Sequence, residues 1–134
     1  MIGLDTNIIV RYIMQDDATQ AALAGALIDS LTADAPGFVS TVTLVEVVWV
    51  LKQSYGLSRN DIAEVIDGLL LSRQLVFQDK TAALQALAVY RSSKADYSDG
   101  LIARLGHAAG CTATYTFDKI AGQHAGMTML VKED

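Results

Sequence analysis

Short apolar runs alternate along this chain with longer segments in which apolar residues recur every three or four positions. The short runs predict β-strands, because a strand buried on both faces needs only a few consecutive apolar residues. The longer segments predict amphipathic helices. Predicted strands cover residues 2–4, 38–40, 75–77, 112–117 and 127–131. Predicted helices cover residues 7–14, 17–31, 59–72, 80–92 and 97–110, with one more from a cap at Thr41 or Thr43 to about residue 55.

Strands separated by helices throughout the chain predict an α/β fold with a mostly parallel sheet. In such sheets ligands bind beyond the carboxyl ends of the strands. No repeat or linker-like stretch divides the sequence, so we expect one domain over residues 1–134, long enough to bury a core of its own.

Composition narrows the class of protein. Half of the residues (51%) are hydrophobic, which favours a folded domain over a disordered one. We expect no membrane span, because no uncharged run reaches the length of a membrane helix, and no secretory signal, because the chain starts without a basic leader. The single cysteine, Cys111, suits a cytoplasmic protein, and both it and Trp49 are expected in the core.

The acidic balance argues against a protein that is coated with nucleic acid: the net charge is −5 and the isoelectric point is about 4.8. Five of the acids, however, lie at strand ends, or at the start of or inside predicted helices, where they do not resemble ordinary surface residues. Setting aside Asp5, Glu46, Asp96, Asp99 and Asp118 leaves as many acids as bases. The acidity is therefore concentrated in the candidate site, where a bound cation would remove the repulsion of phosphate.

Each acid also has a structural reading when it is taken alone. Asp5 and Asp118 each follow a predicted strand, where aspartate is common as a turn or cap residue. Glu46 lies in the apolar stretch TLVEVVWVL, and must be exposed, paired with a cation or bound to a metal. Asp96 and Asp99 have the spacing of a helix capping box, which Ser58 and Asp61 share without any chemistry nearby.

Taken together, the acids predict a metal site. Strand exits and helix starts share one edge of a parallel sheet, so Asp5, Glu46, Asp99 and Asp118 are expected to gather there. Several carboxylates in one place repel each other unless a cation joins them. Oxygen ligands of this kind select Mg²⁺ or Mn²⁺, and such a site suits hydrolysis of a phosphodiester.

The residues also resemble a known family. The segments GLDTNIIVRYIMQDD, TLVEVVWVL, ADYSDGLIA and TFDK, in this order, are similar to the motifs of PIN-domain ribonucleases, most closely the VapC-type toxins of bacterial toxin–antitoxin pairs. The resemblance spans essentially the whole chain. It implies a three-layer α/β/α domain with a central, mostly parallel sheet of five strands, and a Mg²⁺- or Mn²⁺-dependent endoribonuclease.

The resemblance also assigns roles to residues. It implies that Asp5, Glu46 and Asp99 are the principal catalytic and metal-binding acids, with Asp118 as the fourth. Asp96 would assist at the margin of the site, and Thr6, Asn7 and Thr116 would support the ligands by hydrogen bonds. The RNA-binding candidates are the bases Arg11, Arg91, Lys94, Arg104 and Lys119.

Partners are implied by the same resemblance. The chain would form a homodimer, and a cognate antitoxin would bind it and bring an arginine into the acidic cluster. Ile9, Tyr12 and Ile13 are either part of the docking surface or part of the core.

Two other functions stay open at the level of sequence. An aspartate-nucleophile phosphatase also places an aspartate after its first strand, but it needs a second one two residues later, where this chain has Asn7. A non-catalytic PIN-like binding module would keep the acids only to hold a protein partner.

Overall fold

The computed structural model describes residues 1–132, which form seven helices and five short strands. The helices are α1 (Thr6–Met14), α2 (Ala18–Asp29), α3 (Thr41–Gln53), α4 (Arg59–Leu71), α5 (Lys80–Ser92), α6 (Tyr97–Ala108) and α7 (Lys119–His124). The strands are β1 (Ile2–Gly3), β2 (Gly37–Val39), β3 (Leu75–Phe77), β4 (Tyr115–Thr116) and β5 (Thr128–Met129). None of the helices in this part of the chain is long and apolar enough to cross a membrane.

The chain divides into two compact units, the first covering Met1–Lys80 and the second beginning at Thr81. In the first unit, β1, β2 and β3 form a parallel sheet in that order. Gly37 in β2 is closely packed, because a Cβ at this position would lie 2.7 Å from Cδ1 of Leu4 and would displace that side chain. The core of this unit comes mainly from α3, α4 and β2 and includes Val39, Leu44, Val47, Leu51, Ile62, Ile66 and Leu70.

In the second unit, β4 and β5 pair in parallel. A small core of alanines and one methionine lies among its helices: Ala95, Ala103, Ala121, Ala125 and Met127. Tyr97, at the start of α6, is buried and donates a hydrogen bond from its hydroxyl to the carbonyl oxygen of Ala83 at 3.1 Å. The ring of Tyr90 meets that of Tyr97 edge to face, with centroids 6.1 Å apart. These contacts fix the first turn of α6, which carries Asp99.

The α/β class, the parallel pairing and the positions of all five strands are confirmed, but the expected single sheet of five strands is corrected. Within residues 1–132 the strands pair as one sheet of three and one sheet of two. The predicted strands 112–117 and 127–131 shrink to two residues each. A two-residue strand offers few backbone groups for a ladder with a further neighbour, which limits how far the pairing extends.

The six predicted helices are confirmed within a few residues at their ends, whereas α7 was not predicted. It is only six residues long and begins directly after Asp118. Such a short segment contains too few apolar positions for a periodic pattern.

Two side chains expected in the core lie on the surface. Trp49 is 61% exposed, and Cys111 is exposed as well. In α3 the buried face is filled by Leu44, Val47, Val48 and Leu51, so this helix carries more apolar residues than one face can bury. The apolar character of the stretch therefore did not indicate which residues lie inside.

Candidate metal centre

The first unit holds two of the predicted acids, and Asp5 begins the helix α1. Its carboxylate accepts a hydrogen bond from the backbone N–H of Thr6 at 2.7 Å, so the capping function considered from the sequence is present. Asp5 directly follows Leu4, whose N–H donates to the carbonyl oxygen of Phe38 in β2. The sheet thus fixes the backbone from which the exposed Asp5 side chain projects.

Glu46 is joined to the start of α1 through Thr6. The Thr6 hydroxyl donates to Oε2 of Glu46 at 3.2 Å, and Thr6 itself is only 4% exposed. Glu46 lies on the exposed side of α3, so its charge carries no large desolvation cost. This hydrogen bond fits the supporting role predicted for Thr6.

Two residues that the sequence reasoning missed fix the start of α3. Ser40 accepts a hydrogen bond on its hydroxyl from the N–H of Thr43 at 3.1 Å, and Gln78 accepts one on its side-chain oxygen from the N–H of Thr41 at 3.1 Å. A serine just before a helical pattern is a recognisable cap signal, whereas nothing in the sequence pairs Gln78 with residue 41. Both contacts hold the helix that presents Glu46.

The second unit holds Asp96, Asp99 and Asp118, and their charges interact. The pKa of Asp99 is raised, first by desolvation of its half-buried carboxyl group and then by the charges of Asp96 and Asp118. Three carboxylates are therefore close enough in this unit for one to oppose the ionisation of another.

The capping-box alternative for Asp96 and Asp99 is not realised. Asp96 occupies the N-cap position of α6, but its side chain makes no capping hydrogen bond. Ser58, the internal comparison, does form the cap, with its hydroxyl accepting from the N–H of Asp61 at 3.1 Å. The same sequence pattern thus serves helix capping in α4 and not in α6.

Asp118 caps the short helix α7 with one of its oxygens. Its Oδ1 accepts from the N–H of Ala121 at 2.9 Å, and its own N–H donates to the hydroxyl of Thr116 at 3.0 Å. These two bonds orient Asp118, and the second one fits the supporting role predicted for Thr116. Asn7, the remaining supporting residue, is exposed and lines a surface cavity of about 410 Å³ between α1 and α2.

The donor chemistry fits a hard divalent cation. The acids offer only carboxylate oxygens, and the pKa of Asp99, raised first by desolvation and then by the charges of Asp96 and Asp118, would be lowered again by a nearby cation. Across residues 1–132, no group of three or more His, Cys, Asp or Glu side chains is arranged to hold a metal ion directly. The ligand set of Asp5, Glu46, Asp99 and Asp118 accordingly stays a prediction.

Of the basic candidates, Arg11 lies in a network of hydrogen bonds and one ion pair. Arg11 is paired with Asp16 at 3.3 Å and also donates to Gln20 and Tyr55. The Tyr55 hydroxyl in turn donates to Asp16 at 2.6 Å and, as the largest contribution, lowers the pKa of Asp16. Among the other candidates, Arg91, Lys94 and Lys119 are exposed and Arg104 is half-buried. Arg11 thus acts within a polar network that joins α1, α2 and the end of α3.

The chain has an α/β fold in which Asp5, Asp99 and Asp118 lie at the starts of helices. A comparison with known families makes the class specific: residues 2–126 match the family described as PIN domain. The match covers almost the whole sequence, so the chain belongs to the PIN domain family, whose members are typically metal-dependent nucleases. No curated protein and no solved structure matches the chain.

The electrostatics at Asp99 predict a pH-dependent change in stability. Asp99→Asn is expected to raise the melting temperature of the metal-free protein at neutral pH, because it removes a carboxylate whose ionisation is opposed in the folded state. Since the folded-state pKa lies above the usual 3.8, the folded protein binds more protons than the unfolded chain, and its stability falls as the pH rises through the folded pKa. The advantage of the variant should vanish below the unfolded pKa.

Calorimetry in the presence of a chelator, at neutral pH and in acid, measures this difference. Asp61→Asn is the matched control, since Asp61 also lies in the first turn of a helix. A first-turn carboxylate interacts favourably with the helix dipole, so this control should give no gain. A variant at Asp99 that is less stable than wild type at neutral pH would contradict the conclusion that the ionised carboxylate destabilises the fold at this position.

Proposed function

We propose that this PIN domain is a Mg²⁺- or Mn²⁺-dependent endoribonuclease that acts as the toxin of a toxin–antitoxin pair. The observation that carries the proposal is the closeness of the Asp99 carboxyl group to Asp96 and Asp118, whose charges raise its pKa further after desolvation, the largest cause. Membership of a family of nucleases supports the same reaction class. The proposal includes the whole chain as a single domain and a cytoplasmic location, where its RNA would be found.

The residues proposed to hold the cation are Asp5, Glu46, Asp99 and Asp118. When bound, the cation would neutralise charge on the scissile phosphate and make water easier to ionise. Thr6 holds Glu46 through its hydroxyl, and Thr116 holds the backbone of Asp118, so neither carboxylate has to be ordered when RNA binds. Asp96, whose side chain makes no capping bond, would add negative charge at the margin.

Incubation of the purified protein with structured RNA and either cation tests the proposal. Cleavage is expected with Mg²⁺ or Mn²⁺ and should stop with a chelator. A small phosphomonoester in a parallel reaction detects the aspartate-nucleophile phosphatase. Absence of both RNA cleavage and phosphomonoester hydrolysis would leave a non-catalytic binding module as the better description.

A homodimer is the second part of the proposal, and the outer face of α3 supports it. Val42 and Trp49 are 65% and 61% exposed on this helix, with the half-buried Val45 between them at helical spacing. An exposed apolar stripe of this kind is typical of a protein–protein contact.

Trp49→Glu is expected to convert the dimer to monomers, because it places a charge at the largest side chain of this stripe. Association should weaken by about 100-fold, as expected for loss of a central aromatic contact. Sedimentation velocity over a range of concentrations measures the change, with Ile102→Glu as the control at another exposed apolar residue. A wild-type protein that is monomeric at high concentration would refute the dimer.

The third part of the proposal is a cognate antitoxin, and a cavity of about 360 Å³ in the first unit is proposed as its docking site. Its lining is mostly apolar and comes from α1, α4 and β3, with Tyr12, Ile13, Val65, Leu69 and Leu75 among the residues. Ile9, one of the three suggested docking residues, is 1% exposed and belongs to the core, whereas Tyr12 and Ile13 are half-buried at the cavity. Ile13→Asp should therefore reduce co-purification of the antitoxin, and undiminished co-purification would exclude this cavity.

A further inference from the structure

Phe117 is more exposed than any other large apolar side chain in residues 1–132. It is 79% exposed, and Tyr115, two residues earlier, is 64% exposed. An aromatic ring in water forgoes the stabilisation that burial would give, and such rings are normally covered. A pair of exposed aromatics therefore points to a binding partner.

The backbone around Phe117 is held on both sides. Before it, β4 pairs with β5 in the register Tyr115↔Thr128 and Thr116↔Met129. After it, the N–H of Asp118 donates to Thr116 and the Asp118 carboxylate accepts from Ala121. The ring is thus presented to solvent by a hydrogen-bonded segment, which reduces the entropy lost when a ligand binds.

The neighbours of Phe117 decide what kind of partner suits it. Asp118 and Lys119 follow directly, and both are exposed. A protein partner covering the ring would have to desolvate an adjacent carboxylate and ammonium group, and charged groups are depleted from the centres of protein interfaces. A nucleotide presents a flat apolar base beside a charged phosphate, which matches an aromatic ring beside a lysine.

We propose that Phe117 is a stacking platform for an unpaired nucleobase of the RNA substrate, with the adjoining phosphate towards Lys119. The inference rests on the proposed nuclease function and adds a binding subsite to it. The phenyl ring carries no hydrogen-bonding group, so it stacks on the base without reading its edge. Bases inside a duplex are already stacked on each other, so the subsite takes a base from a loop, bulge or single strand.

The test separates binding from cleavage. The probe is a single-stranded oligoribonucleotide with 2-aminopurine at one position, whose fluorescence falls when the base stacks on an aromatic ring. The affinity for this probe is measured in the Asp99→Asn background, in which the RNA should not be cleaved. KM and kcat are measured in a background that is otherwise wild type. The variants are Phe117→Ala, Phe117→Leu and Phe117→Trp, with Ile102→Ala as the control at an exposed apolar residue of the same unit.

Phe117→Leu is the informative variant because it keeps an apolar side chain and removes the aromatic face. Both Phe117→Leu and Phe117→Ala are expected to raise KM and the dissociation constant about tenfold, as expected for loss of one base–aromatic contact, with kcat little changed. Phe117→Trp should retain wild-type affinity and quenching, and Ile102→Ala should behave as wild type. Melting temperatures should be unchanged, since the ring is largely exposed.

The measurements distinguish failure of the stacking subsite from failure of the proposed nuclease function. If wild-type protein cleaves RNA and Phe117→Leu has the same KM and affinity, the stacking subsite is refuted and the nuclease function stands. If wild-type protein neither binds nor cleaves RNA, the proposed function fails and the subsite fails with it. A Phe117→Leu variant that changes only the oligomeric state would overturn the inference in favour of a protein contact.

Discussion

Replacing Asp99 by asparagine is expected to lower the rate of metal-dependent RNA cleavage by about a thousandfold or more. The substitution keeps the size of the side chain and removes the negative charge that a hard cation requires. Asp99 lies in the first turn of α6, and the pKa of its carboxyl group is raised first by desolvation and then by the charges of Asp96 and Asp118. Initial rates on one RNA at saturating Mn²⁺ measure the loss.

Asp61→Asn provides a matched control for this prediction. Asp61 also lies in the first turn of a helix, three residues after a cap residue, and its N–H bonds to Ser58. It has the same local pattern without the acidic neighbours that act on Asp99, so its variant should cleave RNA at a rate within about twofold of wild type, as expected for a surface change away from the site. Equal losses at Asp61 and Asp99 would indicate a general effect on folding.

The proposed toxin role gives the same variants a second readout. Expression of the wild-type chain without its antitoxin should arrest bacterial growth, and expression of Asp99→Asn or Asp5→Asn should not. Asp5 adds a stability control, because its carboxylate caps α1 and asparagine is an equally good cap. Growth arrest by both variants, or cleavage that persists in both, would separate the toxicity from the acidic residues.

The helices were predicted well from the sequence because the periodic spacing of apolar residues can be recognised in long elements. Helices α2 to α6 contain 12 or 13 residues each, enough for an apolar face to repeat. The short α7 and the two-residue strands β4 and β5 have no room for a repeat, so their extents and the partition of the strands into two sheets depend on tertiary packing. Trp49 shows the same limit within a helix, where a mostly apolar stretch does not reveal which face is buried.

For the candidate site, the local geometry of the named residues could not be predicted from the sequence in every case. Thr6 and Thr116 each form a hydrogen bond within their own unit, to Glu46 and to Asp118 respectively, while their supporting roles in a metal site stay predictions. The failure of Asp96 to cap α6 could not be read from its spacing, since Ser58 has the same spacing and does cap α4. Gln78 was missed because its contact with Thr41 spans 37 residues, and a single sequence contains no signal for such a pair.

Glu46→Gln is expected to abolish metal-dependent cleavage and leave the fold intact. Glu46 is exposed on α3, and its hydrogen bond is accepted from the Thr6 hydroxyl at 3.2 Å. The amide oxygen of glutamine can accept the same bond, so the free energy of unfolding should change by less than about 1 kcal/mol. The charge is lost, however, and a neutral amide is a poor ligand for Mg²⁺, so the rate should fall by about a thousandfold.

Glu64→Gln is the matched control, because it makes the same chemical change on another helix of the first unit. The two measurements together identify the role of Glu46. Loss of cleavage with an unchanged melting temperature means that the charge serves the reaction, since the hydrogen bond to Thr6 is preserved in the variant. A large fall in melting temperature would instead make Glu46 a structural residue that joins α3 to α1. Full activity in the variant would exclude Glu46 from the metal site. The apolar stretch TLVEVVWVL would then serve only core packing and the proposed dimer contact.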